Sequence, residues 1–259
     1  MARTRNPEGR MSLGEHLVEF RKRLFSAALA IAAGAIGGFL LSDLVWAAIA
    51  EPILAIGERS GRLAEINYTS ITEAFDTKIA ISLTVGIIIT SPVWLYQIWA
   101  FIVPALVRKE KVYAVSFFAA AVPLFLAGCA AGWWVFPHVV ELMVSFAPAE
   151  STTLLTAKYY LDFTIKFILA IGVGFVLPVF LVLLNFVGVL SARAILKGWR
   201  WAILSITVFT AMATPAADVL SMFVLAVPMV ALYYLAALIA VIHDKRVAKK
   251  QAALLGDLA

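Results

Sequence analysis

Apolar residues dominate this chain in long uncharged runs, and the runs predict helices that cross a membrane. They extend over Leu24–Ser42, Ile79–Val107, Val112–Val140, Phe167–Ala192, Trp201–Ala217 and Val219–Ile242. A spanning helix needs about 20 apolar residues, and a bilayer offers no water to pair a free backbone group, so each run reads as a helix. The fifth run is short and carries Pro215 near its end, as expected of a span that thins the bilayer locally. The first run follows basic residues, as a secretory signal does. It exceeds the usual length of about 7–15 apolar residues and five more runs follow, so a retained first span is the reading.

The polar intervals predict what lies between the spans. Residues 1–11 are polar and basic, with Pro7 and Gly9, and are expected to be disordered. Ser12 and Glu15 form a capping-box pattern that starts a helix. Leu13, Leu17, Phe20 and Leu24 then make an apolar stripe, with Glu15, Glu19 and Arg23 on another face. The pattern is that of an amphipathic helix at a membrane surface running into span 1, and spacing alone makes Glu19 an ordinary i,i+4 partner of Arg23. Residues 43–77 form a first external loop, with a short surface helix expected to break before Pro52. Thr69 or Ser70 is expected to cap span 2, with Glu73 and Asp76 favoured in its first turns by the helix dipole. Residues 137–161 read as a second cap over the outer face. Asp162 and Lys166, four residues apart at the start of span 4, are expected to pair. Ser191 looks like an N-cap. TPAAD reads as a tight turn whose Asp218 caps span 6, and the tail as a helical extension over an anionic inner leaflet. Pro92, Pro123, Pro178 and Pro228 lie inside spans, so four of six spans are expected to be kinked and to form a curved wall.

Composition agrees with this pattern. The chain is 63% hydrophobic and 14% charged, whereas a soluble domain has about half apolar and about a quarter charged residues. The +5 balance reports orientation before it reports nucleic acid, and no nucleic-acid partner is expected. Sixteen of the 21 Lys and Arg fall in residues 1–23, 108–111, 193–200 and 245–250, which six spans place on one side; Arg59, Arg62 and Lys158 fall on the other. Both termini are therefore expected in the cytoplasm. Trp94, Tyr96, Trp99, Trp199 and Trp201 suit a cytoplasmic aromatic belt, and Trp133, Trp134, Tyr159 and Tyr160 an external one. The single cysteine, Cys129, excludes an internal disulfide. There is no HExxH, no His pair at metal spacing, no GxSxG and no Walker loop. No cofactor, metal or enzymatic activity is expected.

The organisation that follows is an all-α membrane protein. Residues 1–23 form a cytoplasmic basic segment and amphipathic helix, 24–242 a six-helix transmembrane domain with external caps, and 243–259 a cytoplasmic tail. At this point the residues resemble a known family, TatC, the multi-spanning receptor subunit of the twin-arginine protein translocase. The resemblance rests on HLVEFRKRL (16–24), SPVWLYQIWAFIVPAL (91–106) with Glu110 after it, GFVLPVFLVLLNFVGVLS (174–191) and TPAADVLSMFVLAVPM (214–229). The tail HDKRVAKK looks like actinobacterial members.

The resemblance implies a protein of the bacterial inner membrane. It would bind twin-arginine signal peptides, recruit single-span subunits of the TatA and TatB type, form a homo-oligomer within the receptor complex and serve transport of folded proteins driven by the proton-motive force. By resemblance, Glu19 and Glu110 recognise the arginine pair, Phe101 and Pro104 shape the site, and Arg21 stands beside it. Two guanidinium forks want planar anionic acceptors, which carboxylates supply. Pro52 matches a family proline of the first external loop, and Thr214 and Asp218 match the region where single-span partners dock. One position departs from the family: Val176 stands where a Glu or Gln is usual, which leaves two readings open, that Asp162 or Lys166 substitutes for it or that the role is not needed. The residues alone leave a second reading open, a small-solute transporter or permease subunit, against which the uncharged spans 2, 3 and 4 count.

Overall fold

The computed structural model describes residues 13–60, 64–102, 111–145, 153–186, 188–213 and 219–256. Its elements in chain order are α1 (Leu13–Ser60), β1 (Ala64–Asn67), α2 (Glu73–Ile89), α3 (Ser91–Ile102), α4 (Lys111–Ser145), β2 (Thr153–Thr156), α5 (Ala157–Phe186), α6 (Ala192–Lys197), α7 (Trp199–Ala213) and α8 (Val219–Gly256). Among the described residues, four helices are long and apolar enough to cross a membrane. They become five if α2 and α3, bent by 62° at their junction, form one span; α7 is a shorter apolar helix. The polar prefix 1–11, Ser12 and the turn containing Pro215 lie outside the described residues.

Three sequence expectations merge into one element. The amphipathic helix, span 1 and the outer surface helix are a single 48-residue helix, α1, about 72 Å long at 1.5 Å per residue. The expected break before Pro52 is absent, because α1 continues through that proline to Ser60. A proline there removes one backbone bond. Ile49 (4% exposed) and Ile53 (1%) bury the same stretch and hold it helical. As expected from the sequence, the amphipathic helix runs into span 1 and the tail extends span 6: α1 and α8 cross residues 23/24 and 242/243 unbroken.

Span 2 is broken where a kink was expected. Thr90 ends α2, and its Oγ1 donates to Gly86 O at 2.7 Å. Pro92 sits in the first turn of α3, where its missing N–H costs nothing. The Trp94 indole donates to Ile87 O at 2.8 Å and covers a carbonyl in the last turn of α2. Pro123, Pro137, Pro178 and Pro228 lie within continuous helices.

Small residues bring the helices close. Gly34 and Gly38 of α1 face Gly86 and Ser82 of α2, and Gly128 of α4 faces Gly172 of α5. The first crossing uses the small-xxx-small spacing on both helices, which lets membrane helices pack by backbone contact, and in the second Gly128 and Gly132 give that spacing to α4 alone. The core between them holds Phe125, Phe167, Ile53, Ile81 and Leu161, all at most 2% exposed. A second cluster packs α6 on α8 through Ala192, Ile195, Tyr233 and Ala237.

Far from the N-terminus the helices end in a cap that departs from an all-α reading. Ala64 to Asn67 pair in parallel with Thr153 to Thr156, so the two loops expected to be separate caps are joined by one short ribbon. The Tyr160 hydroxyl adds a 2.7 Å bond to Ile49 O and ties α5 to α1.

Candidate functional site

The opposite end of the bundle brings the start of α1 against the end of α3. Glu19 and Arg23 lie one turn apart on α1, and Arg23 donates to Glu19 Oε1 from Nε at 3.0 Å and from Nη2 at 2.6 Å. Its third nitrogen, Nη1, reaches Gln97 Oε1 of α3 at 3.4 Å. Phe101, in the last turn of α3, stacks on the His16 ring at 4.3 Å and lies 5.3 Å from Phe20. The polar face of α1 therefore turns toward α3, while Leu17, Phe20 and Leu24 of the stripe stay exposed, as lipid contact requires.

The carboxylate is held asymmetrically. Glu19 is 19% exposed and Arg23 25%. Oε1 takes both bonds from Arg23, while Oε2 is buried with no partner among the described residues, as is the Trp99 indole nitrogen of α3. A buried acceptor without a donor forfeits about 1–3 kcal/mol, more when charged. Chemically, this is an anionic oxygen prepared for an N–H donor in a part-desolvated surface, where charge-assisted bonds are stronger than in water. Among the described residues no group of three or more His, Cys, Asp or Glu is placed to hold a metal.

The remaining expected site residues fall in four places. Arg21 is exposed on α1, on a different face from Glu19. Pro104, Glu110, Thr214 and Asp218 lie outside the described residues, as does Ser12. Pro52 lines a cavity of about 290 Å³ near the cap, together with Glu51, Ile56, Trp133, Phe136 and Glu141. Asp162 is half-buried and Lys166 exposed, and the expected i,i+4 pair does not form: the ion pairs among the described residues are Glu19–Arg23, Asp43–Lys78 and His243–Asp244. Val176 is 4% exposed and packed in the core of α5, with no polar neighbour required.

Two polar centres were not foreseen. Glu73, assigned only a dipole role, accepts from Thr69 N (2.6 Å), Thr69 Oγ1 (2.7 Å) and Ser70 N (3.3 Å), and from Lys158 N (2.9 Å) at the start of α5. The Thr69 hydroxyl and these backbone N–H groups hold its carboxyl down at about 2. The capping direction is thus reversed: Thr72 is the N-cap, its side chain makes no capping bond, and the acid reaches back to Thr69 and Ser70. The second centre is Asp244. It accepts from Ala192 N at 2.8 Å and Asn185 Nδ2 at 2.9 Å, and the Ala192 N–H above all lowers its carboxyl. His243 lies 3.2 Å from Asn185 Oδ1 and 4.4 Å, ring to ring, from Phe186. Ser191 caps α6 as expected, accepting from Ala194 N. The signals available in the sequence were Thr69-Ser70 just ahead of Glu73, and an Asp at the end of an apolar span, where a solvated head is the default.

The comparisons with known proteins agree with one another. The family model described as Sec-independent protein translocase protein (TatC) matches residues 15–228. Sec-independent protein translocase protein TatC of Xylanimonas cellulosilytica is 42% identical over 243 residues, covering 94% of this chain and 88% of that protein. The protein of the same description from Rothia mucilaginosa is 38% identical over 250 residues, covering 96% and 85%. A crystal structure of the twin-arginine translocase receptor TatC in DDM superposes with a TM-score of 0.76 at 30% identity, covering 87% of this chain and 99% of that one.

Proposed function

We propose a function from one premise: the chain belongs to the TatC family, the Sec-independent protein translocase proteins. It is a multi-pass membrane protein of a protein translocase, a transport component rather than a catalyst. In our reading it is the receptor core of the twin-arginine translocase in a bacterial inner membrane. It crosses six times, with α7 as the short fifth span and both termini cytoplasmic. The distribution of Lys and Arg supports that orientation.

Signal peptides bearing two arginines bind where α1 and α3 meet. The observation that carries the reading is the Glu19 carboxylate: it is part-buried, already matched to one guanidinium, and has an oxygen to spare. Glu110 and Pro104 complete the site from the segment after α3, Phe101 walls it, and Arg21 faces the lipid or peptide surface beside it. TatA- and TatB-type single-span subunits dock around Thr214 and Asp218, and further copies of the chain join in the receptor complex. The proton-motive force drives passage of the folded cargo.

Purified full-length protein in nanodiscs, titrated with a fluorescent Arg-Arg signal peptide, tests the site. Glu19→Ala and Glu110→Ala should each weaken binding at least tenfold while insertion and monodispersity stay intact. Unchanged affinity in both variants would sink the assignment.

A further inference from the structure

We propose that Arg23 is an internal occupant of the recognition carboxylate, that ligand binding exchanges one guanidinium for another at Glu19, and that Gln97 receives the displaced Arg23. The inference rests on the receptor reading above and adds a residue-level mechanism to it.

Three features of the structure point to exchange. First, Arg23 is bound poorly for an arginine. Its Nε and Nη2 converge on a single oxygen, Glu19 Oε1, whereas the strongest arginine–carboxylate pairing sets two parallel N–H bonds on two oxygens. Second, the unused oxygen Oε2 is buried without a partner among the described residues. A guanidinium arriving from outside the helix can take both oxygens in fork geometry. Arg23, tethered one turn away on the same helix, holds only one. Third, Arg23 does not become an orphan cation on leaving, because its Nη1 already reaches Gln97 Oε1 at 3.4 Å. A rotation of the side chain toward α3 turns that long contact into its main bond. Phe101, stacked on His16 and beside Phe20, holds the end of α3 close enough for Gln97 to serve.

Exchange has a consequence that simple charge attraction lacks. One cation replaces another on Glu19, so the number of ion pairs at that carboxylate is the same before and after binding. The internal arginine also scales down the affinity of every cationic ligand by one factor. A ligand must then bring the better fork to be retained at working concentration.

The test uses the full-length protein in nanodiscs and a fluorescent peptide carrying Arg-Arg, with a Lys-Lys version alongside. Arg23→Gln removes the occupant, so Arg-Arg peptide should bind roughly 2- to 5-fold tighter, the range set by a part-exposed ion pair. Binding should also become more salt-sensitive, because a new pair now forms on binding. Gln97→Leu removes the resting place of Arg23 and should weaken binding, and that penalty should vanish in the Arg23→Gln, Gln97→Leu double variant. Arg23→Lys retains a cation without the fork and should fall between wild type and Arg23→Gln. If both Arg23 variants bind more weakly than wild type, Arg23 orients Glu19 and does not compete for it, and the exchange is overturned. If Gln97→Leu weakens binding equally in both backgrounds, Gln97 is not the receiver. Glu19→Gln separates the two readings: unchanged binding there overturns the receptor site itself, whereas lost binding with an unimproved Arg23→Gln overturns exchange alone.

Discussion

Two neighbouring glycines of α1 make a paired experiment. A Cβ built on Gly38 would sit 2.4 Å from Ser82 O and 3.0 Å from Ser82 Cα, both backbone atoms of α2. Real Cβ atoms essentially never approach within 3.0 Å, and backbone in a helix cannot swing aside as a side chain can. Gly38→Ala therefore forces α1 away from α2 by a large fraction of an ångström. That retreat is shared along the crossing, because Gly34 meets Thr90 and Gly86 one turn away and Gly86 in turn meets Ala35. Overpacking of this kind costs about 1–3 kcal/mol. At this chain length each kcal/mol shifts Tm by about 2–4 °C, so Gly38→Ala should lower Tm by roughly 2–12 °C. Gly37, one residue earlier, has nothing within 4 Å of its Cβ. Alanine there clashes with nothing and favours the helix by up to about 1 kcal/mol, so Gly37→Ala should leave Tm unchanged or raise it. Intrinsic tryptophan fluorescence during heating, in one detergent, reads all three proteins. Because α1 carries Glu19 and α2 leads into α3 with Gln97, peptide affinity should fall in Gly38→Ala and hold in Gly37→Ala. Equal Tm values for the two variants would refute the argument that backbone contact sets this crossing.

Three further outcomes are expected. Glu73 has a depressed carboxyl, so its contribution is present above the unfolded value, near about 4.3, and is lost as pH falls toward about 2. Thermal melts between pH 7 and pH 3 should therefore lose stability more steeply in wild type than in Glu73→Gln, and parallel curves would contradict the staple. Asp244→Ala removes the acceptor for Ala192 N and Asn185, and should cost about 1 kcal/mol by analogy with a lost helix cap, with increased protease sensitivity of the segment between α5 and α6 as the readout. Val176→Gln places an amide at a 4% exposed, apolar position and should destabilise by about 1–3 kcal/mol; a gain in transport of a reporter cargo at unchanged stability would show that a polar group is wanted there.

Much of the bundle is written in the chain because its signals are long. Runs of about 20 apolar residues dictate helices in lipid whatever they pack against, and α4, α5 and α8 lie where their runs lie. The end points failed where tertiary packing overrode a local sign. Pro52 read as a stop, yet buried Ile49 and Ile53 carry α1 past it. Pro92 read as a kink, yet with Thr90 bonding back to Gly86 it became a 62° break. The β1–β2 ribbon was illegible because each strand is only four residues long, and its partner is a loop far away in sequence. Of the site, Glu19 and Arg23 were readable from i,i+4 spacing and Phe101 from the family likeness. Gln97 and His16 were not, because their roles depend on how closely α3 approaches α1, which glycines in the middle of the helices decide.

The two ends of the bundle are built to different tolerances, and this bears on how a receptor of this kind operates. At the cap end, Glu73 is saturated by four donors, Tyr160 is bonded to Ile49 O and two strands pair in register. Of these, the Lys158 N–H bond to Glu73, the Tyr160 bond to Ile49 O and the strand pairing join elements distant in sequence, so the cap ties α1, α2 and α5 together. At the other end α1 and α3 meet through ring stacking, one ion pair that leaves an oxygen unpartnered among the described residues, and a long 3.4 Å contact. Local opening free energy follows the density of satisfied contacts, so adjustment on peptide binding is expected where α1 meets α3 rather than at the cap. The short arm carrying Gln97 and Phe101 is tied across the break by the Trp94 bond to Ile87 O, so any shift of α3 against α1 has that bond to strain, while the Glu73 bonds lie at the other end of α2.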